Sequence, residues 1–229
     1  MGSGSRDFVA ANTDKTSIAS DCGVDEQPLT MICWANMDDV TNLYTVFSQN
    51  NTANNTVVRS IAMRGSDVGD PVEVEIADDS ADGFVLNAGT YTAGKFYCVG
   101  FRLEAALAEL FVSGVEVDQD STDTVGGWTV NTTAFGVKNR LTPANWAEGK
   151  IAHGQIYNRV LLDYEMAEIA FGNVQNVPEG LMGWWPLWDN GVDPTLQDIS
   201  GNGNDMTNDG SDEGTGLGPP IQFSMAVGG

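Results

Sequence analysis

Three groups of residues in this 229-residue chain have the types and spacing that chemistry requires. The first is Asp198-Ile-Ser200-Gly-Asn202-Gly203-Asn204, with Asp209 at the twelfth position counted from Asp198. A hard cation needs several oxygens from one tight turn, and oxygen-bearing side chains at alternate positions of a glycine-containing loop supply them. Asp198, Ser200, Asn202, Asn204 and Asp209 are therefore the candidate ligands of a Ca2+ site. Asp stands where a bidentate Glu is usual and no helices flank the loop, so the expectation is a calcium-stabilised turn in a β protein. A plain Asn-Gly turn accounts for the same residues without an ion.

The second group is Glu73-Val-Glu75-Ile-Ala-Asp78. Residues i and i+2 of a strand share a face, and retaining glycoside hydrolysis uses two carboxyl groups about 5 Å apart. Alternating Glu on a solvated face explains the pattern without catalysis and is preferred; hydrolysis through Glu73 and Glu75 is the remote alternative. The third group is aromatic: Trp128, Trp146, Trp184, Trp185 and Trp188, whose rings could pack on sugar faces. Core packing claims Trp34 and one of Trp184 and Trp185. Trp146 lies in the loop-like Pro143-Ala-Asn-Trp-Ala-Glu-Gly149, and it is, with Trp128, the candidate ligand-binding ring. His153 is the single histidine, which leaves no Ser-His-Asp arrangement and, with no cysteine partner, argues against zinc. It reads as a structural residue of a strand.

These groups sit in a pattern of strands and turns. Pro28 to Met37 alternates, with Leu29, Met31, Cys33, Ala35 and Met37 on one face and Thr30, Ile32, Trp34 and Asn36 on the other. Both sets are partly apolar, as in a strand buried on both faces. Further strand segments are Leu43–Ser48, Val57–Met63, Val72–Ala77, Lys95–Leu103, Leu107–Val117, Trp128–Val137 and Lys150–Tyr157, separated by Asn, Gly, Asp and Thr clusters. Ser113-Gly114 breaks Leu107–Val117 into a hairpin. One helix is predicted, capped by Asp163, filled by Tyr164–Phe171 and stopped by Gly172, with Met166, Ile169 and Ala170 on one face.

Several of these segments carry a resemblance. Gly180-Leu-Met-Gly-Trp-Trp-Pro-Leu-Trp-Asp189, followed by Asp198-Ile-Ser-Gly-Asn-Gly-Asn-Asp205, resembles the aromatic strand and Asp-rich loop of laminin G-like, concanavalin A-like domains. The Ser113-Gly114 hairpin is similar to the family's Asn-Gly hairpin. Ile151 to Glu165, through Ile-Tyr-Asn-Arg-Val-Leu and a short helix, resembles the way such domains of phage and bacterial proteins close. Arg6-Asp-Phe-Val and Leu29-Thr-Met-Ile-Cys-Trp34 look like the early strands. Glu73 to Asp78 copies the spacing of the Glu-x-Asp-x-x-Glu strand of the related β-glucanases, with the acid types changed. The resemblance implies an all-β jelly-roll sandwich with one short helix, mostly a binder of glycans or other surfaces, often with calcium at the Asp-rich loop. In most such domains the tryptophan strand comes first. Here it comes last, so the family's strand order reads as circularly permuted, with residues 178–207 completing one sandwich spanning 1–229 from the C-terminal side.

Composition agrees with this fold and narrows the function. The chain has 27 glycines, and 32 acidic against 10 basic residues give a net charge of −22. The bases are scattered, so nucleic-acid binding is not expected, and no run of about 18 apolar residues predicts a membrane span. Such acidity suits solvated faces, cation binding or a saline setting. Cys22, Cys33 and Cys98 form no disulfide or metal spacing and read as buried thiols. Asn50, Asn54 and Asn131 lie in Asn-x-Thr sequons and read as polar loop residues. Met1-Gly-Ser-Gly-Ser5 shows no signal peptide, or is an expression scar. On the first reading the expectation is a non-enzymatic virion surface protein, a capsid decoration or tail-associated module of a tailed phage, made in the host cytoplasm. Its partners would be other virion proteins or copies of itself, and glycans. A free extracellular lectin is the alternative.

Overall fold

The computed structural model describes residues 5–24, 26–65, 71–80, 83–104, 106–122, 125–173, 176–187, 195–210, 212–213 and 218–219. Trp188, singled out above, and residues 1–4 lie outside them. In chain order the elements are β1 (Arg6–Phe8), β2 (Lys15–Ile18), β3 (Leu29–Met37), β4 (Leu43–Asn50), β5 (Val58–Arg64), β6 (Val72–Ala77), β7 (Gly83–Ala88), β8 (Tyr97–Glu104), β9 (Leu107–Val112) and β10 (Val115–Asp120). There follow β11 (Thr132–Phe135), β12 (Gly149–Tyr157), α1 (Asp163–Ala170), β13 (Leu181–Trp185), β14 (Thr195–Leu196), β15 (Met206–Asp209) and β16 (Asp212–Glu213).

The strands form two sheets whose named pairings are antiparallel. The first runs β10-β9-β8-β3-β12-β1-β16, with β13 also on β12; the second runs β14-β15-β2-β11-β4-β5-β6-β7. Alternation decides the layers. Leu29, Met31, Cys33, Ala35 and Met37 of β3 face the core between the sheets, whereas Ile32 and Trp34 face outward. That outward face is itself covered: Ile32, Trp34, Cys98, Phe111 and Tyr157 pack with Leu161, Met166 and Ile169 of the α1 region. The first sheet is thus apolar on both faces, as the partly apolar alternation of β3 requires.

One irregularity organises the first sheet. Between β12 and β3 the register passes from Ala152↔Trp34 to Gln155↔Ile32, so His153 and Gly154 together oppose Cys33. A two-for-one bulge bends the strand, and His153 takes a left-handed φ of 49° there. The free edge of β12 is divided at the same point. Gly149 to Ile151 pair with β1, and Gly154 to Tyr157 pair with β13.

The helix begins differently from the sequence expectation. The carboxylate of Asp163, the predicted cap, accepts from Arg102 Nη1 at 2.7 Å. Glu165 performs the capping, accepting the Leu162 N–H at 2.8 Å while holding the guanidinium of Arg159 at 2.7 and 2.6 Å. Hydrogen bonding to Arg159 lowers the Glu165 pKa. The predicted strand Trp128–Val137 contracts to β11, because Trp128 turns away to donate to Ala77 O and Gly136 leaves the sheet at φ 82°. The β9–β10 turn uses positive φ at both Ser113 and Gly114, the geometry that matches strand twist. The three cysteines are free and buried, and burial pushes the Cys22 thiol up to about 12.

His153 makes the fold sensitive to acid. Burial lowers its pKa from 6.5 to about 4, so between these values the unfolded chain binds a proton that the folded chain does not. The stabilisation is complete above pH 6.5 and is lost as pH falls towards 4, by about 3 kcal/mol at most. Urea unfolding of wild type and His153→Asn should show this pH slope only in the wild type; Asn is the replacement of choice because it tolerates positive φ.

Candidate functional site

The outer face of the second sheet is where the candidate carboxylates lie. Cross-strand register places Thr207, Ser17, Ala134, Ser48, Ser60, Glu75 and Val85 in one row across seven strands. The middle of this row is small and polar, and Ser48, Ser60 and Ala134 are buried. A strap formed by residues 136–147 covers them on its way from β11 to β12. Ser48 Oγ donates to Val137 O at 2.7 Å, Asn139 Nδ2 to Thr132 Oγ1 at 3.1 Å, and the Leu141 N–H to Asn54 O at 3.0 Å. Lys138 and Ala144 exchange backbone hydrogen bonds, and the Ala147 N–H closes the strap on Gly136 O at 2.8 Å. A Cβ on Gly136 would lie 2.3 Å from Cδ1 of Phe8, so the strap can start only at glycine.

The carboxylates beneath are committed to ion pairs. Glu73 pairs with Arg64 and Glu75 with Lys138 of the strap. Asp78, beyond the end of β6, accepts from the Ser80 N–H at 2.8 Å and the Gly126 N–H at 3.2 Å. Retaining hydrolysis needs one carboxyl free as nucleophile and one able to carry a proton, both facing an open cleft. Here each glutamate faces a cation, Arg64 for Glu73 and Lys138 for Glu75. The Lys138–Glu75 pair anchors the strap to the sheet.

The tryptophans separate by exposure. Trp34, Trp128 and Trp184 are 6–7% exposed and Trp185 is fully buried. Trp185 enters the core between the sheets, stacked edge-on to Phe47 and Phe135, and Trp184 packs on the outer face under the α1 region. The sequence expectation that one of the two is core is therefore exceeded: both are buried, on opposite faces of β13. Trp128, expected to present a ring, lies under the guanidinium of Arg59 at 4.3 Å and offers no face to a ligand. Trp146, near the end of the strap, is only partly buried. Two rings that periodicity assigned to the helix are more exposed still, Tyr164 at 65% and Phe171 at 71%. Both flank the apolar stripe of a helix too short to bury a second face.

The loop from Asp198 to Asp205 is held by its own side chains. Asp198 Oδ1 accepts the N–H groups of Trp184 and Ser200, each at 2.9 Å; Oδ2 accepts Ser200 Oγ at 2.8 Å and the Asn204 N–H at 3.0 Å. The Asn202 and Asn204 amides donate to Met182 O. Asp209 lies on β15 opposite Lys15, 3.8 Å from its ammonium. A calcium ion needs oxygens with free lone pairs converging on one point. This carboxylate is saturated by donors and the neighbouring amides present N–H groups, so the residues as placed do not fit calcium. Among the described residues, no group of three or more His, Cys, Asp or Glu is placed to hold a metal. The loop instead ties β13 of the first sheet to the chain entering β15 of the second.

A family model described as the concanavalin A-like lectin/glucanases superfamily matches residues 10–167. No curated protein matches in sequence. Among solved structures, a candidate carbohydrate-binding protein from Bacteroides ovatus superposes with a TM-score of 0.67 at 13% identity, covering 96% of this chain and 62% of that one. The CBM40 of the Ruminococcus gnavus IT-sialidase, solved with α2,3-sialyllactose, gives 0.61 at 14% identity, over 74% of this chain and 98% of its own. A heptameric SAP-like pentraxin from Limulus polyphemus gives 0.58 at 11% identity, over 74% and 82%.

The family match stops before β13 and the Asp198 loop, so their contribution is measurable as stability. Asp198→Ala removes four hydrogen bonds from one carboxylate and should cost about 2–3 kcal/mol, lowering Tm by roughly 5–10 °C in a chain of this size. EDTA should leave the wild-type Tm unchanged. A Tm that falls in EDTA and recovers with calcium would reinstate the cation.

Proposed function

Because this chain belongs to the concanavalin A-like lectin/glucanases superfamily, we propose that it is a non-catalytic carbohydrate-binding module with Trp146 as its sugar-stacking ring. The observation that carries the reading is the sorting of the tryptophans. Of those described, Trp146 is the tryptophan that is not buried, and it lies near the end of a strap that is bonded at both ends and pinned to the sheet by Lys138 and Glu75. A ring held on a rigid support costs little ordering when a sugar stacks on it. Similarity to folds solved as carbohydrate-binding domains supports the same reading. The absence of catalysis is supported by the ion pairs on Glu73 and Glu75, which hold both carboxylates in structural roles. The proposal concerns the module itself and is independent of where it is displayed.

A glycan array followed by calorimetric titration tests this. Trp146→Ala should weaken binding to the best glycan about tenfold or more, since one stacked ring contributes about 1–2 kcal/mol, while Tm moves by no more than an ordinary surface change. Phe171→Ala should leave binding intact. If Phe171→Ala abolishes binding and Trp146→Ala does not, the platform lies on the helix and the assignment of the strap is wrong. Release of reducing sugar from any glycan, lost in Glu75→Gln, would overturn the non-catalytic reading.

A further inference from the structure

We propose that the module selects uncharged glycans and discriminates against sialylated, uronate and sulfated ones; this rests on the carbohydrate-binding reading above. Recognition of an anionic sugar needs a cation free to meet it, best an Arg fork that can take both oxygens. The chain has ten bases, all among the described residues, so the accounting is complete.

Six are held by carboxylates. Arg102 closes its fork on Glu109 at 2.5 and 2.7 Å and adds Asp163, and Arg159 closes its fork on Glu165. Arg64 pairs with Glu73, Lys138 with Glu75, Lys150 with Asp7 and Lys15 with Asp209. Two more are sealed in the interior, Arg6 at 1% and Arg59 at 0% exposure, with Arg59 donating to Val24 O and Gln49 Oε1.

Lys95 and Arg140 remain. Lys95 sits in the turn before β8, beside Gly94, whose N–H bonds Met37 O. Arg140 is at the far tip of the strap, where its guanidinium donates to Thr142 O at 3.4 Å and Asn55 O at 3.3 Å. The two lie in different parts of the fold, Lys95 by the end of β3 and Arg140 by the loop between β4 and β5. The acid next to the platform points the same way. Glu148 follows Trp146 by two residues, and its one bonded oxygen takes the Ala10 N–H at 2.8 Å. An anionic sugar approaching Trp146 therefore meets a like charge within a field of net −22, and of the strap's two bases Lys138 is paired with Glu75 while Arg140 already donates to two backbone carbonyls. A neutral sugar meets no such cost.

The test is an array pairing neutral oligosaccharides with their acidic counterparts, lactose with 3′-sialyllactose among them, read at about 0.02 M and about 0.5 M NaCl. The expected result is binding to one or more neutral glycans, with the acidic counterpart at least about tenfold weaker at low salt and the gap narrowing at high salt. A sialylated, uronate or sulfated glycan bound as tightly as its neutral counterpart, or more tightly, overturns the inference and leaves the carbohydrate-binding reading standing. Binding to no glycan of either kind overturns both.

Discussion

The contact on which the molecule depends is the aromatic cluster of Phe47, Phe135 and Trp185 between the sheets. Phe47 and Phe135 stack at 4.3 Å, and Trp185 meets them edge-on at 6.2 and 5.7 Å. The first two come from neighbouring strands of one sheet and the third from the other sheet, contributed late in the chain. The backbone makes room for these rings in ways that permit no side chain. A Cβ at Gly154 would lie 2.1 Å from Phe135, and one at Gly183 would lie 2.3 Å from the Trp185 ring. Gly154 belongs to the bulge that divides the edge of β12, so the same two residues admit Phe135 and mark where β13 takes over from β1. Without that division, β13 would have no edge on which to dock and Trp185 no route to the core.

Charge is distributed with comparable economy. An acidic chain loses stability to self-repulsion, and here the few bases are placed where they do structural work. Arg159 and Glu165 start the helix, Arg102 joins β8 to β9 and the helix, and Lys138 fastens the strap. Each of these pairs is at least partly withdrawn from water, where an ion pair is screened less than at the surface. The consequence for function is that eight of the ten bases are paired with carboxylates or buried. Lys95 and Arg140 apart, what the surface of the described residues offers a partner is mainly acids, amides, hydroxyls and a few aromatic rings.

The strap shows how this family's scaffold is specialised here. A row of serine and alanine on the outer face of the second sheet leaves a trough, and the chain fills it with its own segment. That covering is fastened to Glu75 through Lys138 and places Trp146 at its margin.

Much of this was legible in the sequence. The period-two alternation of β3, the Ser113-Gly114 turn and the stripe Met166, Ile169 and Ala170 each depend on neighbours within a few residues, and each lies in the structure as local chemistry dictates. The all-β class and its concanavalin A-like resemblance followed from such signals. What lay beyond the sequence depends on residues far apart in the chain. Glu75 and Lys138 are 63 residues apart, and only their meeting distinguishes an ion pair from a catalytic carboxylate. Asp198 has the spacing of a cation ligand, but its oxygens are consumed by donors brought by β13 and by its own loop. Trp128 and Trp146 look alike in sequence; one is covered by Arg59, 69 residues before it, and the other is not. Residue types and their periodicity determined the strands, the turns and the inventory of groups able to do chemistry. Tertiary structure alone decided which of those groups remain available, because availability is set by long-range partners, and spacing along a chain carries no record of them.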